Sequence, residues 1–235
     1  MPVPGLHVAS FVAERLGEAV PNLTNGLFAG ACQTCGRENP APTELVIDQV
    51  GPTLAHATLH HRRCRPSAWY DSSNASWHSK PYLTYAMRGA VVQLVDDDEV
   101  TMTVAIVLLN PALEEHVLRT AGDGRWISCA LDRFEPAGLR PPNLDGNGMR
   151  RNCVQGVTAR ITTKAIFIDV HQPLGAARTF NGDLGPDVCT AAVQGHRVLL
   201  LVTQAMNPET FRGSAELNAV LSNPRTRMGW VGVTS

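Results

Sequence analysis

Two short motifs constrain this chain more than any other feature: Cys32-Gln-Thr-Cys35 followed by Gly36, and His60-His61-Arg-Arg-Cys64. Between Cys35 and His61 lie 25 residues, room for one hairpin and too few for a separate domain. Zinc takes four tetrahedral ligands from thiolate and imidazole, and a Cys-x-x-Cys turn supplies two sulfurs at once. Gly36 is the residue type that most easily adopts the left-handed backbone in which such a turn ends. The pattern predicts one zinc ion held by Cys32, Cys35, Cys64 and a single imidazole. His60 and His61 compete for that fourth place, because strand alternation sends only one of two adjacent side chains to the metal side. The two-residue spacing to Cys64 favours His61.

Other readings of these cysteines explain less. A thioredoxin-like dithiol wants its motif between a strand and a helix, whereas residues 37–42 read as turn. A reduced buried pair beside an unrelated Cys/His cluster leaves the hairpin spacing unexplained. Cys129, Cys153 and Cys189 stand far apart in apolar or loop settings and read as small packing residues or free thiols. In a reducing compartment closely spaced thiols are read first as metal ligands. The opening Met-Pro-Val-Pro-Gly-Leu-His lacks the basic and apolar regions of a secretory signal. The longest apolar run, around residues 104–109, is strand-sized and far short of the roughly 20 residues of a membrane span. The expectation is a cytoplasmic protein.

Composition narrows the partners. The chain has 235 residues, enough for one large domain or two small ones. A formal charge of -1 excludes a polycation that coats nucleic acid by bulk attraction, so any such contact requires a local patch. Charged residues are only 17% of the chain, which leaves surface for extended partner contacts. Arginine outnumbers lysine 18 to 2, a bias of the kind a GC-rich coding sequence imposes, as in actinobacteria and their phages.

Periodicity gives an α+β chain: an N-terminal zinc-knuckle, ribbon-like module followed by a mainly β, mixed α/β domain. Val8, Phe11, Val12, Leu16 and Val20 predict one amphipathic helix over 6–20, with a loop at 22–30. Residues 43–48 and 53–59 alternate around Gly51-Pro52 and predict the hairpin that returns His60, His61 and Cys64 to the knuckle. Residues 69–81 read as a connecting loop. The domains expected are 1–30, a helix and loop; 31–80, the metal module; and 81–235, the mixed domain. Within the last, strands at 90–95 and 100–109, Asn110-Pro111, a helix at 112–119 and a strand at Trp126 form one series. Strands at 165–171 and 197–204, Asn207-Pro208, a helix at 214–221 and a strand at Trp230 form another. The shared order is either an internal β-β-α-β duplication, as repeats over 82–130 and 164–235, or a chance recurrence of Asn-Pro before a helix. Residues 133–152 are a loop dense in Pro and Gly.

Over residues 30–69 the metal motif resembles a zinc ribbon or treble-clef knuckle. That resemblance implies nucleic-acid binding, protein docking or stabilisation without choosing among them. His60, His61, Arg62, Arg63 and Arg65 form the concentrated basic stretch, with Trp69, Tyr70 and Trp77 after it. Guanidinium beside aromatic rings suits phosphate and stacked bases, which makes Arg62, Arg63, Arg65 and Trp69 the candidate partner-binding set. The alternative is a solvated basic face. HNH-type nucleases also carry Cys-x-x-Cys knuckles, and His60 or His61 with Asn74 and His78 gives the order of a metal-dependent phosphodiesterase. The Asn74–His78 spacing is short for that reading, and no second Cys-x-x-Cys follows. Asp96, Asp97, Asp98 and Glu99 read as a solvated turn, and neither Gly146-Asn-Gly148 nor Gly182-Asp-Leu-Gly185 has the strand-to-helix setting of a phosphate cradle. Asp169 and His171 share a strand face and read as structural. No nucleophile elbow or other catalytic residue is identified. The expectation is a non-enzymatic, zinc-stabilised binding protein with a nucleic-acid or protein partner. An HNH-like nuclease and a structural subunit of a phage or multiprotein assembly, including a homo-oligomer, are the alternatives.

Overall fold

A computed structural model describes residues 3, 5–39, 42–72, 82–95, 101–142, 152–162, 165–171 and 178–234. In chain order its elements are β1 (Leu6–His7), α1 (Ser10–Leu16), α2 (Ala19–Gly26), β2 (Thr43–Val50), β3 (Leu54–His61), β4 (Ala68–Ser72), β5 (Ala86–Val95), β6 (Thr101–Asn110), β7 (Glu115–Thr120) and β8 (Trp126–Ser128). Then follow β9 (Val157–Ile161), β10 (Ala165–Val170), β11 (Arg178–Asp183), α3 (Pro186–Gly195), β12 (Arg197–Val202), α4 (Ser214–Leu221) and β13 (Arg227–Thr234). The protein is mixed α/β and mostly strand. It divides into two compact units: Met1–Tyr85 with Ala112–Ala130, and Ala86–Pro111 with Leu131–Ser235.

The first unit is one six-stranded sheet in the order β1-β2-β3-β7-β8, with β4 also paired to β2. The hairpin forms as the alternation predicts: β2 and β3 run antiparallel from Thr43↔His61 to Val50↔Leu54, and Gly51 closes the turn at φ 70°. Leu45, Ile47, Ala55, Ala57, Leu59 and Leu118 face Val12, Leu16, Ala19, Leu23 and Leu27 in one apolar core. By strand alternation the opposite face carries Glu44, His56, Thr58, His60 and Glu115, all of them buried. A buried polar face needs hydrogen bonds of its own, and side-chain pairs such as His56 Nδ1 to Glu115 Oε1 at 2.7 Å supply some of them.

Local sequence misled in three places. The single helix expected over 6–20 is two helices, because Gly17 turns the chain at φ 54° and a second apolar series, Ala19, Leu23 and Leu27, continues onto the sheet. The loop expected at 22–30 therefore begins as α2, and Phe11, predicted on the inner face, is 53% exposed. Trp69 and its neighbours, expected in a loop, form β4 parallel to β2. The helix expected at 112–119 is instead β7, paired antiparallel with β3 from Leu54↔Arg119 to Thr58↔Glu115. That six-residue segment has too few turns for helix propensity to outweigh a sheet edge that needs partners.

The second unit is a seven-stranded sheet in the order β11-β10-β9-β13-β12-β6-β5. The β6–β12 and β13–β9 pairs are parallel; the rest are antiparallel. Val104, Ile106, Leu108, Leu199, Leu201 and Trp230 bury one face against Phe211, Leu217 and Val220. α4 occupies the expected residues, but Asn207-Pro208 does not start it: Asn207 Oδ1 accepts from the Glu209 amide at 3.1 Å and caps a single 3-10 turn over Pro208–Thr210, while Gly213 stands at the N-terminus of α4. After Asn110-Pro111 the chain instead enters a strand, so the two series part at the step that defined them. Part of the 133–152 loop is ordered by Phe134 and Leu139, both buried, and by an Arg140–Met228 bridge.

Candidate metal centre

The centre is built from a turn and the end of a hairpin. In the turn, the Gly36 amide donates to the Cys32 carbonyl at 2.8 Å and the Cys32 amide to the Arg37 carbonyl at 2.9 Å. Gly36 has φ 71°, and a methyl placed on it would lie 2.6 Å from the Tyr82 ring, so both backbone and space demand glycine. Hydrogen bonds from the Cys64 amide at 2.9 Å and the Arg65 amide at 3.0 Å to the His61 carbonyl fold the second motif into its own turn.

These two turns bring Cys32, Cys35, His61 and Cys64 together, with one donor atom from each lying within 4.8 Å of the others. His61 Nδ1 stands 3.4 Å from Cys35 Sγ and 3.7 Å from Cys64 Sγ. In a tetrahedral site with roughly 2.3 Å metal–sulfur and 2.0–2.1 Å metal–nitrogen bonds, the nitrogen–sulfur edge is about 3.6 Å, so the spacing suits an ion. The other ring nitrogen completes the case: His61 Nε2 lies 2.7 Å from the Glu38 carbonyl oxygen, to which it can only donate. That bond fixes the tautomer and leaves the Nδ1 lone pair facing the sulfurs, the outer-shell arrangement of metal-bound imidazoles. Among the described residues no other His/Cys/Asp/Glu group is arranged in this way.

His60, the competing ligand, points to the other side of β3. It is buried, with Nδ1 2.9 Å from the Thr34 hydroxyl and Nε2 2.9 Å from the Thr58 hydroxyl. Thr34 lies between Cys32 and Cys35, so His60 braces the turn from behind. Burial pushes the Cys32 thiol up, but hydrogen bonds from the His61, Thr34 and Cys35 amides and the Cys35 thiol outweigh it and bring the pKa down to about 7. Cys64 is raised by desolvation and by the Cys35 and Cys32 sulfurs beside it. Sulfurs crowded this way repel one another as thiolates, and a divalent cation reverses that repulsion.

Glu114 is the residue that sequence reasoning missed. Its buried carboxylate accepts from the Ala31 amide at 3.0 Å, the Thr84 amide at 2.9 Å and the Thr84 hydroxyl, which ties the arm before Cys32 to the entry of β7. Burial raises its pKa against the pull of those donors. Gly30 leaves the room: a methyl there would sit 1.8 Å from Glu114 Oε1. One of two adjacent acids in a segment read as helical, Glu114 gave no signal of this role.

The four candidate partner residues divide. Arg62 and Arg63 are exposed, Arg62 with its Nε 3.9 Å from Glu44. Arg65 is held by both Asp48 oxygens, at 2.9 and 2.6 Å, and lies over the Tyr70 ring at 4.3 Å. Trp69 donates to Gln49 at 2.9 Å, packs 5.4 Å from the Trp126 ring and is covered by Arg15. Both are therefore committed inside the unit. Asn74, Trp77 and His78 lie outside the described residues, as do residues 96–99, Gly146 and Gly148. Asp169 accepts from the Thr179 hydroxyl across β10 and β11, in keeping with a structural role.

No family model, no curated protein and no solved structure matches the chain. No helix among the described residues is long and apolar enough to cross a membrane.

Proposed function

We propose that this chain is a zinc-stabilised, non-enzymatic binding protein of a reducing, cytoplasmic compartment, whose metal module contacts a nucleic-acid or protein partner. The observation that carries the reading is the donor set itself. Three sulfurs and one imidazole nitrogen already number four, the full shell of a structural zinc site, whereas a catalytic zinc keeps a place for water. Thiolate-rich sets select zinc over hard cations such as magnesium or calcium. The turn-plus-hairpin origin of the ligands supports a zinc-ribbon-like module, and the Nε2 bond to Glu38 supports Nδ1 as the ligating atom.

Elemental analysis of protein purified without added metal should find one zinc per chain. Replacement by cobalt should give the intense visible bands of a tetrahedral, thiolate-rich site, and Cys64→Ser should weaken them. Protein that folds without bound metal, or cobalt spectra of octahedral form, would refute the proposal. Failure to hydrolyse phosphodiesters when zinc-loaded is expected, and metal-dependent nicking of plasmid DNA would restore the nuclease alternative.

A further inference from the structure

We infer that the outer surface of the metal centre binds single-stranded nucleic acid, with Arg37, Arg62 and Arg63 on phosphates and Tyr82 as a platform for a base. This inference rests on the metal reading above, since the metal joins the two turns that carry these residues. Arg37 follows the first turn directly, and Arg62 and Arg63 lie within the second. All three are exposed, and among the described residues neither Arg37 nor Arg63 has an ion-pair partner. Along 32–38 and 61–65 the one acid is Glu38, against four arginines; Arg65 is neutralised by Asp48 at 2.6 Å, and the exposed Arg62 stands 3.9 Å from Glu44. The aromatic partner is not the tryptophan suggested by the linear sequence. Tyr82 lies with its ring against Gly36 and 40% of its surface exposed, and its carbonyl accepts from Gln33 Nε2 at 3.0 Å.

Exposed guanidinium groups on the two turns, and an exposed ring packed against one of them, are the elements of sequence-tolerant single-strand binding: charge follows the backbone, and the ring stacks on any base. Duplex recognition would need a helix or ribbon entering a groove, and neither turn offers one. An alternative use of the arginines is to offset the negative charge of three thiolates on one divalent ion. The two roles differ in what arginine removal does to metal affinity.

The test uses the full zinc-loaded chain and a fluorescent oligothymidylate, read by anisotropy across a salt series, with zinc content measured on the same samples. Three phosphate contacts predict a log–log salt slope of about -2, and Arg37→Ala with Arg63→Ala should reduce its magnitude by about 1.4. Tyr82→Leu should weaken binding about tenfold while Tyr82→Phe retains it, because stacking needs the ring and not the hydroxyl. Stoichiometric zinc with no binding at low salt, or binding indifferent to these substitutions, would overturn the inference and leave the metal reading intact. Arginine variants that lose zinc affinity but not oligonucleotide affinity would overturn it too, as would equal affinity for polyglutamate. Absence of zinc from the folded protein would refute the metal reading itself, and this inference with it.

Discussion

At the level of single residues, the metal centre depends as much on what surrounds the ligands as on the ligands. Gly36 meets two demands, a left-handed backbone and the approach of Tyr82, so Gly36→Ala should cost about 1–3 kcal/mol in unfolding free energy and weaken zinc binding, measured by urea titration and competition with a chelator. Glu114 makes a prediction with a sign. Its folded pKa lies above the unfolded value because it is buried, so ionisation opposes folding. Its contribution is complete below the ordinary carboxylate range and falls as pH rises through the folded value. Glu114→Gln turns an amide toward one of three donors and so lowers stability in acid, yet the decline in stability with rising pH should flatten; denaturation curves across that window will show it. The cluster of Cys32, Cys35, His61 and Cys64 was legible in the sequence because coordination chemistry fixes residue type and spacing together. The Glu38 carbonyl, the Thr34–His60 brace and Glu114 were not, since each joins the site through contacts that no spacing encodes.

Elements were legible where apolar residues alternate around a marked turn or run without a break, and obscure where a short segment mixes polar and apolar residues. The β2–β3 hairpin alternates and announces its turn with Gly51-Pro52, and β6 and β12 are continuous apolar runs of strand length. In β7 the segment Glu-His-Val-Leu-Arg-Thr carries polar residues on both faces, Glu115 and Arg119 on one and His116 and Thr120 on the other, so no alternation marks it as a strand. Polar residues within a core, among them His56 with Glu115, hide the signal that marks inside from outside. Packing between elements can be tested at Gly89 of β5, where a methyl would meet Leu184 Cβ and Val188 Cγ1 at 2.9 Å. Neither neighbour is the end of a flexible chain, so Gly89→Ala should lower the midpoint of thermal unfolding by an amount equivalent to about 1–3 kcal/mol.

Considered as a whole, the chain alternates between two units, since β7 and β8 belong to the first although β5 and β6, which precede them, belong to the second. Chelation should act unequally on them. Hydrogen exchange after zinc removal should speed the amides of β3, which ends at His61, and of β2, whose Thr43 pairs with it, and leave those of β6 and β12 slow, because local openings follow local contacts. Uniform acceleration would mean that the metal holds both. Interleaving also sets an order of events during synthesis. Cys32, Cys35, His61 and Cys64 all leave the ribosome before Glu114 and the β7 strand have been made. A nascent chain thus has its full donor set while its sheet still lacks two strands, and an ion captured at that moment would clasp the end of the β2–β3 hairpin to the preceding turn until translation supplies β7.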